Sequence, residues 1–290
     1  MVFGVTGNIT KPQIWEPLRQ LIKRFTTDGI DFVVSTSVAN GLEFPIAPER
    51  VVDSDRFARK SDIVLSFGGD GTLLNTVHEL GSQTKPILGV NVGRLGFLAN
   101  TEVQTMDRAI DDVLAGRHEI DTRTMLRVSE MQGDDLYETY ALNEIVIARA
   151  GVAGLITIEV DYNDEFLNAY WADGLVVSTP TGSTAYSLSA GGPILTPGCG
   201  AFVVTPLAAH SLGERPIVLP DDGVLRIRIG NVPTNCVYAV DGRSRFIEDP
   251  DTYLEIGRAS REVNLVRLPG QTFGETLRRK LKWGSDKERS

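Results

Sequence analysis

The stretch Ile63 to Val77, IVLSFGGDGTLLNTV, constrains the fold of this 290-residue chain more than any other. Ile63 to Phe67 is a short apolar run, rich in the residue types that suit a strand covered on both faces. Gly68, Gly69 and Gly71 then break the chain, and Thr72 opens a helical pattern through Leu73, Leu74 and Val77. A buried strand entering a helix through a glycine turn is the building unit of a parallel sheet layered with helices. It is also a ready anion site, because backbone N–H groups and the positive end of the helix dipole converge there. The turn nevertheless carries Asp70, and no Gly-Lys-Ser/Thr follows it as in a Walker A loop. Nor does it match the dinucleotide G-x-G-x-x-G fingerprint. An aspartate beside phosphates repels them unless a divalent cation or a transferable proton stands between. Asp70 is therefore expected to help hold Mg²⁺ or to accept a proton from an attacking hydroxyl. The plainer alternative is a tight turn in which Asp70 caps local backbone N–H groups.

The surrounding sequence repeats the alternation. VFGVTG, IDFVVS and PILGVN read as further strands, and Ile14, Leu18, Leu21, Ile22 and Phe25 fall on one helical face. Met106, Ile110, Val113 and Leu114 mark another amphipathic helix, ended by Gly116. Residues 1–118 are accordingly expected to form an α/β domain. From Glu119 the texture changes to short strand-like runs, among them TMLRVSEM, YETYALNEIVIARA, LITIEVDY, YLEIGRA and VNLVRLP, separated by Gly, Pro, Asn and Asp. Residues 119–270 are expected to form a β-rich domain of antiparallel sandwich type. Residues 271–290 return to helix, with Phe273, Leu277 and Leu281 on one face and a frayed charged end.

The balance of 29 basic against 38 acidic residues argues against nucleic acid or an anionic membrane as the main partner. Cys199 and Cys236 form neither a metal-type spacing nor a disulfide framework, which suits a reducing compartment. The N-terminus lacks the basic and apolar regions of a signal peptide, and no apolar run approaches the ~18 residues of a membrane span. The expectation is a cytoplasmic protein.

Two further segments carry chemistry. DGLVVSTPTGSTAYSLSAGGPIL, Asp173 to Leu195, is dense in hydroxyls and glycines and almost free of charge. It suits a loop that wraps a polar ligand, with donors for sugar or phosphate oxygens and the Tyr186 ring available to stack on a base. The alternative is a polar surface loop with Tyr186 as a packing residue. Asn143-Glu144 lies inside an apolar run, so the pair must be partnered or expose one member. It reads equally as a base- or ribose-reading pair and as a strand-end turn. His78, His118 and His210 have no H-E-x-x-H or triad-like context and read as surface or packing residues.

GGDGT at 68–72, NE at 143–144 and DGLVVSTPTGSTAYSLSAGGP at 173–193, in this order and spacing, resemble the NAD kinase family. NVGRLGFL at 91–98 and TLRRKLKWG at 276–284 fit it too. The long segment is specific, whereas GGDGT alone is shared with diacylglycerol kinases, sphingosine kinases and, more loosely, phosphofructokinases. The resemblance implies a Rossmann-like first domain, a β-rich second domain, a C-terminal helix returning to the first, and a homodimer or homotetramer. It implies that NAD⁺ lies between the domains and that the 2′-hydroxyl of its adenosine ribose attacks the γ-phosphate of ATP. Asp70 would accept the proton, and Gly68, Gly69, Gly71 and Thr72 would approach the phosphates. Asn143, Glu144, Asp173, Thr184, Ala185, Tyr186, Ser187, Leu188, Ser189 and Ala208 would bind the dinucleotide. Mg²⁺ or another divalent cation would bridge phosphate oxygens, with no side chain assigned to hold it, and polyphosphate could replace ATP. Trp171, Gly154 and Arg243 stand where some members carry a basic residue, a basic residue and glutamine, which bears on the preferred nicotinamide redox state and on how the donor is held. A lipid or small-alcohol kinase would want an apolar or basic membrane-facing patch, which the composition disfavours. A non-catalytic NADP(H) sensor would have no need of a proton acceptor at Asp70.

Overall fold

The structure, a computed structural model, describes the chain apart from residues 43, 94, 152–153, 231–235, 248, 250 and 284–290. Arg94 of the NVGRLGFL stretch, Gly284 and the charged end beyond it therefore lie outside the described residues. Two compact units are present: Met1–Thr122 with Val263–Ser290, and Arg123–Glu262.

The first unit opens with β1 (Val2–Gly7), α1 (Trp15–Asp28), β2 (Asp31–Ser35), α2 (Thr36–Ala39), β3 (Val51–Val52) and α3 (Ser54–Lys60). It continues with β4 (Ile63–Gly68), α4 (Asp70–Leu80), β5 (Ile87–Asn91), β6 (Thr101–Glu102) and α5 (Met106–Leu114). The main strands pair in parallel in the order β3-β2-β1-β4-β5. Every residue of β4 is buried, which is why its sequence is a continuous apolar run and shows no alternation. Helix α1 buries Leu18, Leu21, Ile22 and Phe25, and Gly29 ends it in the left-handed conformation that a side chain would resist. The Phe25 ring packs 5.1 Å from Phe3 and 5.7 Å from Phe32, joining helix to sheet at the centre of this core.

Strand order reverses between β1 and β4, and open parallel sheets form their ligand crevices beyond the carboxyl ends of strands at such a point. The segments leaving β1 and β4 meet there, the Asn8 N–H donating to the Phe67 carbonyl at 2.9 Å. Helix α4 begins at Asp70 with Gly69 as its cap, two residues earlier than the apolar pattern indicates. Asp70 and Gly71 lack an apolar side chain, so the first turn of this helix leaves no periodic trace.

The second unit is built from β7 (Glu119–Gln132), β8 (Asp135–Ala141), β9 (Glu144–Arg149), β10 (Ile156–Tyr162), β11 (Glu165–Ala172) and β12 (Gly174–Ser178). There follow α6 (Tyr186–Ser189), β13 (Ala201–Leu207), β14 (Ile217–Pro220), β15 (Leu225–Gly230), β16 (Cys236–Val240), β17 (Arg243–Ile247) and β18 (Tyr253–Arg267). One antiparallel sheet runs β14-β13-β12-β9-β16-β17. Facing it, β11, β10, β15 and β18 pair in antiparallel order. Ile145, Ile147 and Val204 of the first sheet and Ile158, Ile227 and Ile256 of the second share one apolar core, as in a sandwich. The run YETYALNEIVIARA divides into β8 and β9 at Leu142-Asn143, whereas YLEIGRA and VNLVRLP join in the 15-residue β18. Arg258 and Ser260 sit exposed on either side of buried Ala259, so the strand continues through the polar residues that separate the two runs.

Both β7 and β18 contribute residues to each unit. Leu265 of β18 pairs in parallel with Ile87 of β5, and the chain ends in α7 (Phe273–Leu281) on the first unit. There Arg279 pairs with Glu102, and Lys280 reaches the Leu95 carbonyl and the Phe97 ring. The C-terminal helix thus packs back on the α/β unit.

Replacing Phe25 by alanine is expected to lower stability by about 3–5 kcal/mol in urea unfolding monitored on the α/β unit. A loss below about 1 kcal/mol would contradict its central place in the core.

Candidate functional site

The glycine turn is organised by Asp70. Its Oδ2 accepts the Phe97 N–H at 2.8 Å, and its Oδ1 accepts those of Leu98 and Ala99 at 2.9 and 3.0 Å. The N–H groups it caps belong to a segment far along the chain and not to its own turn, where the helix start has no side-chain cap. Gly96 lets that segment approach: a Cβ there would lie 1.9 Å from Asp70 Oδ1. Gly68 serves the turn itself, since its Cβ would meet Thr72 Oγ1 at 2.1 Å. Around Gly69 and Gly71 the space is open. Among the described residues nothing lies within 4 Å of a Cβ on Gly71, and one on Gly69 meets only the Lys11 ammonium, at 3.9 Å. A lysine absent from the turn thus lies beside it, on the segment that leaves β1. Sequence reasoning passed over Lys11; its place just after the first strand, at a sheet switch point, is the signal that could have found it.

The second unit repeats the clamp. Asp241 and Gly242 form the two-residue turn between β16 and β17, both with positive φ, as a hairpin of this length demands. The Asp241 carboxylate accepts the N–H groups of Leu142, Asn143 and Glu144 at 2.7, 2.9 and 3.1 Å. Asn143 is thereby held buried, its carbonyl accepting the Thr179 N–H at 2.9 Å. Gly182 packs against the same carbonyl, and a Cβ on it would lie 2.1 Å from that oxygen. Burial and the charge of Asp241 push the Glu144 carboxyl up to about 7, against the pull of the Tyr186 N–H.

The hydroxyl-rich segment is neither a surface loop nor wholly open to a ligand. Thr179 Oγ1 donates to the Leu142 carbonyl, Ser183 Oγ to the Pro180 carbonyl, and Ser187 Oγ pairs with Thr205 Oγ1. Thr179, Ser183 and Ser187 are completely buried, so these hydroxyls satisfy backbone and side-chain groups of the fold. Thr184 Oγ1 turns back to the Thr181 carbonyl, while Ala185 and Leu188 are half-buried. Tyr186 and Ser189 are exposed.

Those two face a cavity of about 430 Å³ together with Arg149, Asp173 and Ala208. Asp173, Tyr186, Ser189 and Ala208 are thus brought together, whereas Asn143, Glu144, Thr184, Ala185, Ser187 and Leu188 lie outside this lining. Ala208 holds a φ of 45°, a strained conformation for a residue with a Cβ and one that marks functional sites more often than ordinary turns. Arg149 Nε donates to Asp173 Oδ1 at 2.9 Å and neutralises the one carboxylate of the cavity. It too escaped the sequence reading, although a charged residue closing the apolar strand EIVIAR was its trace. Beyond the cavity, Trp171 stacks on His210 at 4.3 Å. The residues lining this cavity are mainly hydrogen-bonding groups and one aromatic ring, which suits a neutral sugar or base more than a bare anion. Among the described residues, no group of three or more His, Cys, Asp or Glu side chains comes together to hold a metal ion. Nor does any helix among them have the length and apolarity to cross a membrane.

Family models match both units: the ATP-NAD kinase N-terminal domain over residues 3–118 and the ATP-NAD kinase C-terminal domain over residues 142–268. The chain is 45% identical over 231 residues to the NAD kinase of Porphyromonas gingivalis, covering 80% of this chain and 79% of that protein. It is 34% identical over 290 residues to the NAD kinase of Flavobacterium johnsoniae, covering 97% and 96%. Among solved structures it is similar to yeast NADH kinase complexed with NADH, with a TM-score of 0.88, 26% identity, and 98% of this chain and 88% of that one covered. An Archaeoglobus fulgidus NAD kinase in complex with ATP shares the fold, with a TM-score of 0.73, 21% identity and 98% of both chains covered.

Removing the first clamp should free its donors. Asp70→Ala is expected to speed amide hydrogen exchange at Phe97, Leu98 and Ala99 by roughly 10- to 100-fold, the scale of a lost charged acceptor. Unchanged protection at these amides would show that the clamp does not hold the segment.

Proposed function

This chain belongs to the NAD kinase family and is a phosphotransferase, and we propose that it moves the γ-phosphate of ATP onto the 2′-hydroxyl of the adenosine ribose of NAD⁺, giving NADP⁺. In this reading the bond between the ribose oxygen and Pγ forms as the bond from Pγ to the bridging oxygen of ADP breaks, and the hydroxyl proton passes to Asp70. Oδ2 of Asp70 accepts one N–H where Oδ1 accepts two, so Oδ2 has the lone pair to receive that proton. The open space at Gly69 and Gly71, with Lys11 at its edge, suits the phosphates of the donor. Asp173, Tyr186, Ser189 and Ala208 around the second-unit cavity suit the dinucleotide.

The reading rests above all on one observation: a glycine turn open to phosphates that carries an anchored carboxylate in place of a lysine. Such a group is oriented for proton transfer without being part of a metal cage. The family is consistent with a divalent cation, and Mg²⁺ would offset the phosphate charge when bound. Among the described residues no side-chain cluster offers a cage, and phosphate oxygens would be its main ligands. A homodimer or homotetramer, a cytoplasmic location and the use of polyphosphate belong to the same proposal.

The purified chain is expected to form NADP⁺ from NAD⁺, donor and Mg²⁺, read through an NADP-specific dehydrogenase. Asp70→Asn should lower turnover by roughly 10²–10⁴-fold, the usual contribution of a general base. Near-full turnover in that variant would remove the role assigned to Asp70. NAD⁺ binding without product in the wild type would favour the sensor reading.

A further inference from the structure

The basic motif of the C-terminal helix has no part in the reading above, yet α7 carries it to the segment that orients Asp70. That segment, Leu95 to Ala99, belongs to no strand or helix, so its backbone groups need partners of another kind. The Asp70 carboxylate takes the N–H groups of Phe97, Leu98 and Ala99. The Gly96 N–H donates to the Ala99 carbonyl at 3.1 Å, and the Asn91 side-chain amide donates to the same oxygen at 3.3 Å. Lys280 adds a hold from α7: its ammonium donates to the Leu95 carbonyl and lies 5.5 Å from the centre of the Phe97 ring.

Arg278, Arg279 and Lys280 all stand in the last turn of α7, where positive charge suits the helix dipole. That accounts for their presence but not for what Lys280 touches. Arg278 and Arg279 are exposed, and Arg279 pairs with Glu102 of β6, beyond the segment. Lys280 is half-buried and meets the segment at two residues. The Leu95 carbonyl and the Gly96 N–H belong to one peptide group, so a cation on the carbonyl strengthens the N–H that closes the turn on Ala99. Cation–π attraction holds the Phe97 ring, and the N–H of that same residue serves Oδ2 of Asp70 at 2.8 Å. Direct contacts thus run from Lys280 through Phe97 to Asp70.

We propose that Lys280 is a positioning residue for phosphoryl transfer: by holding Leu95 and Phe97 it fixes the Phe97 N–H, and with it the direction of Asp70 Oδ2. The proposal rests on the kinase reading given above, in which Oδ2 receives the ribose proton. Lys280 acts through the segment and contacts none of the residues assigned to the donor or the dinucleotide. Its loss therefore misaligns the carboxylate and leaves both ligand sites as they are. A misplacement of about 1 Å at a reacting group costs on the order of 100-fold in rate, so a small shift of the segment is enough to be read in turnover.

Steady-state kinetics of NADP⁺ formation by the full chain test this. Lys280→Met is expected to lower kcat roughly 10- to 100-fold with KM for NAD⁺ and ATP within about threefold of wild type. Lys280→Arg keeps a cation and its donors and should stay within about threefold of wild-type kcat. Arg279→Met removes only an exposed ion pair of the same helix and should change kcat by less than about twofold. In an Asp70→Asn background, adding Lys280→Met should cost less than about a further twofold, because the base it aligns is already gone. Amide exchange of Phe97 should quicken about tenfold in Lys280→Met while the rest of the α/β unit keeps its protection. Unchanged kcat in Lys280→Met, a loss carried by KM, an equal loss in Arg279→Met or in the Asp70→Asn background, or quickened exchange throughout the unit would each overturn the proposal. Wild-type protein that forms no NADP⁺ overturns the kinase reading and this proposal together, whereas a failure confined to the Lys280 variants overturns the proposal alone.

Discussion

A carboxylate that gathers three consecutive backbone N–H groups organises the candidate residues of each unit, and among the described residues both units have one. Asp70 holds Phe97 to Ala99, and Asp241 holds Leu142 to Glu144. Consecutive free N–H groups pointing one way are not offered in the interior of a regular strand or helix, because there the groups alternate or are used internally. Each clamp therefore fixes an irregular stretch of backbone with the strength of charge-assisted hydrogen bonds. The glycines beside them follow from the same geometry: Gly96 has no room for a side chain next to Asp70, and Gly182 has none against the Asn143 carbonyl.

Rigid backbone at these two places leaves a small set of groups available to a ligand. In the hydroxyl-rich segment Thr179, Ser183 and Ser187 are spent on internal hydrogen bonds, and that expense keeps Tyr186 and Ser189 at the cavity. Strain is stored there as well, in the left-handed Ala208. Electrostatics divides along the same lines, with an exposed lysine beside the open glycines and a neutralised Arg149–Asp173 pair in the cavity. Phosphates suit the first environment, and a sugar or base suits the second.

The parts of this arrangement with a local signature were legible in the sequence. β4 announced itself by an unbroken apolar run, α1 by its 3.6-residue period, and the sandwich by short strands between turn residues. The segments GGDGT, Asn143-Glu144 and 173–193 were conspicuous because their polar residues interrupt apolar runs. What stayed hidden depends on partners distant in sequence. Nothing near Asp70 reveals that its acceptors serve Phe97 to Ala99, and nothing near Glu144 reveals Asp241. Lys11 and Arg149 look like ordinary surface charges until the sheet order brings one to Gly69 and the strand pairing brings the other to Asp173.

The most direct measurement is the ³¹P spectrum of NAD⁺ incubated with the purified chain, ATP and Mg²⁺. The account predicts one new phosphomonoester, coupled to the proton on C2′ of the adenosine ribose, with the pyrophosphate pair of the dinucleotide intact and ADP formed in equal amount. Release of inorganic phosphate alone, or an ester on any other hydroxyl, would contradict it.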